Sequence, residues 1–210
     1  MNFLKKYFFS IVRGLPLVIF LFASSQIEAQ EKIDYGVKFG LNLADLITDE
    51  SRISPRPTFQ FGAEAEYRLN ESWGFQTEIL YNRLGNVRRG TNENGVKFDN
   101  TLALDYINIP LLANFYISEG FYVGAGPQIG FLVKADQEET VGFDSTRQSV
   151  ASRYNNIDFS GVLSIGYLTE WGFNVGLRYQ LGLIDVLEQD LEYTNSQRHS
   201  ALQLYMSVRF

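Results

Sequence analysis

The sequence predicts an all-β fold: an eight-stranded antiparallel up-and-down transmembrane β-barrel with short periplasmic turns and long extracellular loops. Three observations predict it. Apolar and polar residues alternate with period two through eight stretches, as strands with two unlike faces do. The connections alternate between three-residue turns and long polar links, the rhythm of hairpins that cross a membrane and return. Charges and glycines gather on one face while the other is apolar, with aromatics toward the strand ends, as at a bilayer interface.

The chain of 210 residues begins with a segment of a different kind. Lys5, Lys6 and Arg13 precede an apolar run from Leu15 to Ala23, and small and polar residues lead to Ala29. That order reads as a secretory signal peptide over residues 1–29, with residues 30–210 forming the barrel domain. The run is too short for a membrane-spanning helix, which needs roughly 20 apolar residues. Losing three bases and one acid, Glu28, takes the formal charge from −6 to −8. An acidic exported domain is a poor nucleic-acid binder, so no nucleic-acid partner is expected. The chain has no cysteine, which excludes disulfides and lipid attachment through a thiol.

Strands are predicted near 33–43, 58–69, 73–83, 103–117, 121–134, 157–168, 172–182 and 200–210. Asn70-Glu71-Ser72, Ser118-Glu119-Gly120 and Thr169-Glu170-Trp171 supply the tight turns, and 44–57, 86–102, 135–156 and 183–199 the long links. The last strand shows the pattern most plainly. Leu202, Leu204, Met206, Val208 and Phe210 share one face, and Ala201, Gln203, Tyr205, Ser207 and Arg209 the other. A soluble barrel with an apolar inside would also alternate. Glycines such as Gly36, Gly124, Gly166 and Gly176 on the polar face argue against it, because they relieve crowding in a lumen but add little to a solvated exterior. Trp73, Tyr81, Tyr116, Phe121, Tyr122, Trp171, Phe173 and Phe210 are read as interfacial girdles.

Charge fixes the register. A cation facing lipid at the midplane costs about 2–4 kcal/mol, and a one-residue slip would expose Lys38, Arg178 and several carboxylates together. Only Arg83 and Asp105 share the lipid-facing parity. Both fall at loop ends of neighbouring strands, where pairing and chance placement at the water boundary are equally open. Pro110 and Pro127 cannot donate to a ladder, so a bulge or a broken bond is expected at each.

Several stretches resemble the PorT-like outer-membrane β-barrel family. They are Tyr35-Gly36-Val37-Lys38-Phe39-Gly40-Leu41-Asn42, Leu104-Asp105-Tyr106-Ile107-Asn108-Ile109-Pro110-Leu111-Leu112 and Tyr122-Val123-Gly124-Ala125-Gly126-Pro127-Gln128, with later strands around Ile157–Gly161, Gly166-Tyr167 and Leu177–Leu183. The resemblance implies integral localisation in a Gram-negative outer membrane and, through the family's namesake, a link to type IX protein secretion. It carries no residue-level function. Terminal Phe210 is similar to the assembly signal that such barrels present to the insertion machinery.

Eight strands enclose a space that side chains fill. Lys38, Glu64, Glu66, Arg68, Glu78, Arg178 and Arg209 are therefore expected to meet in the lumen as a structural charge network. The other groups are expected to be inert. The single histidine, His199, lies beside Ser200 at a loop–strand junction, but neighbours on a strand point to opposite faces, which suits proton transfer badly. A solvated loop histidine is the expectation, with no catalytic residues. Asp136, Glu138, Glu139 and Asp144 match no calcium loop and read as a solvated acidic loop, so no metal or cofactor is expected. Arg88-Arg89 could meet lipopolysaccharide or a partner protein. The expected role is non-enzymatic, structural or interactive, accessory to secretion or surface assembly. Its partners would be outer-membrane lipid and lipopolysaccharide, the barrel insertion machinery and an envelope or secretion protein. A narrow small-solute channel is the alternative, and a lipid-A-modifying enzyme stands third.

Overall fold

A computed structural model describes residues 33–47, 53–91, 95, 97–141, 144–185 and 198–210. The expected signal peptide, residues 1–29, lies outside the described residues. The barrel strands are β1 (Ile33–Ile47), β2 (Ile53–Arg68), β3 (Trp73–Thr91), β4 (Lys97–Tyr116) and β5 (Phe121–Val141), then β7 (Ile157–Leu168), β8 (Phe173–Gly182) and β9 (Arg198–Arg209). Each pairs antiparallel with its neighbours, and β1 with β9 closes the ring. A short strand, β6 (Asp144–Ser149), adds to the outer end of β5. Closure leaves the eight spanning strands no free edge, which a structure in hydrocarbon requires.

Alternation sets the two faces. On β8, Phe173, Val175, Leu177, Tyr179 and Leu181 face outward, while Asn174, Gly176, Arg178, Gln180 and Gly182 are buried. The outward apolar belt stops at Asp45, Arg83, Asp105, Lys134 and Ser200 on one side and at the short turns on the other. Aromatics crowd its periplasmic rim. Trp73 packs on Phe115 with ring centroids 5.0 Å apart, and Phe121 on Tyr167 at 4.6 Å. Trp171 and Phe210 stand almost free there. Tyr116 and Tyr122, expected in this girdle, point the other way and are buried in the lumen. Their parity, between Phe115 and Ile117 and between Phe121 and Val123, requires it.

Local chemistry makes the turns. The Asn70 side chain accepts from the backbone N–H of Ser72 and Trp73 at 2.9 and 2.8 Å, closing an Asx turn. Gly120 and Gly172 adopt φ of +84° and +83°, and a Cβ on either would collide with a carbonyl of a neighbouring turn or strand. At the other end the strands outrun their predicted limits. Residues 86–91, 97–102 and 135–141, read as loop, are strand and continue past the lipid belt. With β6 they make a sheet standing above the membrane. Its exposed polar residues carry no period-two signal, which is why the sequence read them as links.

The prolines break the ladder without shifting it. Pro110 has no partner on β3, and Pro127 none on β4, yet the register on either side is unchanged. The β4–β5 bulge lies instead at Asp105/Tyr106, where Val133 is the extra residue. It falls at the belt's outer limit, where a strand can twist out of the bilayer.

Candidate functional site

The lumen has two storeys. The periplasmic half is ionic. Lys38 on β1 lies 2.7 Å from Glu64 on β2 and also bonds Glu78 on β3. Arg178, reaching from β8, holds Glu78 with two nitrogens, each at 2.7 Å. Arg209 on β9 donates to Glu64 and Glu66, both at 2.7 Å. Three carboxylates thus meet three cations, and all six side chains are essentially withdrawn from solvent.

Neutral groups fill the remaining sites. Ser207 and Gln76 donate to Glu64 at 2.8 and 3.1 Å, and Tyr116 donates to Glu66 at 2.5 Å. The Tyr205 ring lies beneath Lys38 and Arg178, with the cations 4.4 and 5.2 Å from its centroid. Such cation–π contact gains strength away from water. Arg68, expected in the same network, sits at the rim: its guanidinium covers Tyr116 at 3.4 Å, and its Nε lies 3.4 Å from Glu66.

Glycine makes room for these side chains. A Cβ on Gly166 would sit 2.5 Å from Cζ of Tyr122, and one on Gly176 would strike the Tyr205 hydroxyl. The two hydroxyls lie 2.9 Å apart, and Asn174 bonds Tyr122. Above them the amides of Gln60, Gln180 and Gln203 cross the lumen, with Asn42 bonded to Asn82 at 2.8 Å.

The outer storey is an apolar cap that the sequence reading missed. Ala44, Leu84, Leu102, Leu104, Tyr106, Ala135, Val150 and Ala201 pack together across the mouth. His199 lies against this cap and is 1% exposed. The expectation of a solvated loop histidine is therefore corrected. Strand β9 begins before His199, so the alternation of Ala201 and Gln203 carries back and turns the imidazole inward. Its Nε2 lies 3.1 Å from the Tyr106 hydroxyl, and the two rings meet edge to face. Ser200 points outward, 3.0 Å from the Tyr179 hydroxyl, so these neighbours do face apart.

On the outer surface, Arg83 and Asp105 are register partners. They form a two-point ion pair at 2.6 and 2.8 Å at the edge of the lipid belt. The expected acidic loop is instead the β5–β6 hairpin, where Glu138 takes Arg147 at 2.7 Å and Asp136 takes Lys134 at 2.6 Å. No cluster of three or more His, Cys, Asp or Glu suited to a metal occurs among the described residues. Phe210 pairs its backbone with Tyr35, its N–H donating to the Tyr35 carbonyl at 2.8 Å, and leaves its ring outside.

A closed strand ring, an apolar outside of bilayer height and a polar, packed inside define an integral outer-membrane β-barrel. The chain belongs to the outer membrane protein beta-barrel domain family, whose model matches residues 24–188. No curated protein sequence matches it. Among solved structures it is similar to neisserial surface protein A, with 13% identity over 84% of this chain and 97% of that one, at a TM-score of 0.51. It also matches the attachment invasion locus protein of Yersinia pestis, with 11% identity over 85% and 97% of the two chains, at a TM-score of 0.48. The likeness to the neisserial protein shows the fold.

Proposed function

We propose that this barrel is a non-enzymatic anchor and interaction protein, a PorT-like accessory of secretion or surface assembly. Its working surface would be the sheet standing above the membrane. The observation that carries this reading is the filled lumen, with a neutralised ionic layer below and an apolar cap above. Each blocks ions for a different reason: the first fixes every charge in a pair, and the second is mostly aliphatic, with the Tyr106 hydroxyl committed to His199. The sheet of β3, β4, β5 and β6 instead exposes Arg89, Lys97, Asp99, Glu139 and Arg147 to the outside, and loops carry function more often than the scaffold beneath them. An envelope or secretion protein is the partner this surface suits, with lipopolysaccharide around it. The network of Lys38, Glu64, Glu66, Glu78, Arg178 and Arg209, with Arg68 at its rim, would serve structure, and Phe210 would serve assembly by the insertion machinery.

Crosslinking in native envelopes from residues placed on β6 tests the reading. A discrete protein adduct that is lost on removal of 142–149 supports it. A stable conductance in planar bilayers that changes with Arg178→Ala would replace it with a channel. Altered lipid A in expressing cells that disappears with His199→Ala would replace it with an enzyme.

A further inference from the structure

One lumen carboxylate stands apart from the balanced six. Asp158 on β7 is 3% exposed, yet among the described residues it has no cationic partner. Its Oδ2 accepts from Ser160 at 2.7 Å, and its Oδ1 has no hydrogen-bond partner. A buried charge is stable only when paired or coordinated, so this carboxylate lacks a counter-charge.

Its surroundings are oxygen-rich. Asp158 pairs across the ladder with Gly130, and Gly130 with Asn108; one row toward the periplasm, Ser160 pairs with Gln128. Gly130 has no side chain, and Asn108 and Asp158 lean over the space it leaves. A Cβ there would lie 2.7 Å from Asn108 Oδ1 and 3.5 Å from Asp158 Cβ. Tyr106 roofs the same space from the cap side, at 3.4 Å. Asn108 and Gln128 are themselves buried, and each has an amide nitrogen without a partner. Asn108 already turns its oxygen into this space, and a half-turn of the Gln128 amide exchanges its unpartnered nitrogen for a carbonyl oxygen.

We propose that Asp158, Asn108, Gln128 and Ser160 form a binding site for one small hard cation of the sodium or calcium kind, held inside the barrel wall of β4, β5 and β7. One carboxylate and three neutral oxygens suit such an ion, which takes oxygen ligands only. The ion supplies the missing positive charge and a partner for the idle Asp158 Oδ1. His199 on β9, bonded to the same Tyr106 at its hydroxyl, is a nitrogen ligand and contributes nothing to a hard cation.

The test uses protein purified from outer membranes into detergent. Its thermal unfolding midpoint is measured in sodium, potassium, calcium and N-methylglucamine chlorides at equal ionic strength. The site requires an upward shift that grows with the concentration of one small cation and is absent in N-methylglucamine, which is too large to enter. Asp158→Asn and Asn108→Ala must each abolish the cation-specific part of the shift. Equal midpoints in all four salts would overturn the site; a protonated Asp158, or one paired with a protonated His199, gives that result. A shift retained by Asp158→Asn would overturn it too. Should the variants fail to fold, wild-type crystals soaked in thallium or in a lanthanide decide: anomalous density against Asp158 supports the site, and its absence sinks it.

Discussion

Arg178 and Glu78 face each other across the lumen from β8 and β3, joined by two parallel bonds of 2.7 Å each. Glu78 also takes Lys38, so it is the shared anion of two cations. The two halves of the pair are therefore unequal. Removing Arg178 leaves Glu78 with Lys38 for company; removing Glu78 takes a partner from two buried cations at once. Breaking a buried pair costs about 3–5 kcal/mol. We expect both Glu78→Gln and Arg178→Met to lower unfolding stability in detergent, with Glu78→Gln the worse. Replacing both with apolar residues should recover part of the loss. Urea titration of the four proteins measures the order, and equal losses from the two single variants would contradict the shared-anion geometry.

The lumen glycines predict a second result. Gly166→Ala would drive a methyl into the Tyr122 ring and pull its hydroxyl from Tyr205 and Asn174. Overpacking of this kind costs roughly 1–3 kcal/mol. Shortening Tyr122 to leucine in the same chain should return much of it, because the methyl then has space. If the double variant is as weak as the sum of the two singles, the clash is not the cause.

The ionic layer was legible in the sequence because polar parity is strict along a strand. Lys38, Glu64, Glu66, Glu78, Arg178 and Arg209 all fall on the inward face once one strand is placed. Which of them touch depends on the stagger between strands, which no single strand records. His199 eludes the sequence for a smaller reason: the alternation shows only from residue 200, two residues inside the true start of β9. Tyr116 and Tyr122 were misread because an aromatic near a strand end looks alike in a girdle and in a lumen; parity alone separates them. The outer sheet left no trace, since beyond Val87, Leu102 and Ala135 its strands have water on both sides and need not alternate. Nor did the cap announce itself. Leu84, Leu102 and Leu104 share the lumen parity, but an apolar residue there looks like noise until several strands bring theirs to one level.

Outside the membrane, Glu138 gives a pH dependence. The hydrogen bond and charge of Arg147, with a further bond from Ser145, hold its carboxyl below the ordinary value of 4.5. A depressed folded value stabilises the hairpin above the unfolded pKa and ceases to do so as pH falls through the folded one. The β5–β6 hairpin should therefore loosen below about pH 4.5 while the barrel stays closed. Because the pair is exposed, the effect is small and salt-sensitive. Hydrogen exchange at residues 144–149 reports it. Arg147→Gln should remove the pH dependence, and a hairpin that loosens equally in that variant would assign the effect elsewhere.

The lipid belt predicts a gradient with depth. Leu177 pairs with Leu204, and Leu204 with Leu41, so these three leucines lie in one row near the middle of the apolar band. Ser200 faces the same way at its outer limit, level with Asp45. Lysine at Leu177 should cost about 2–4 kcal/mol in bilayers, and at Ser200 about 0–1 kcal/mol, because only the second can reach the headgroups. Arg83 tolerates that outer position in another way, with its charge matched by Asp105. Arg83→Ala should therefore destabilise the barrel more than Ser200→Lys does, although it removes a charge from the lipid face. Reversible folding into vesicles gives all three values. Equal costs for Leu177→Lys and Ser200→Lys would mean that water, not hydrocarbon, bathes this face.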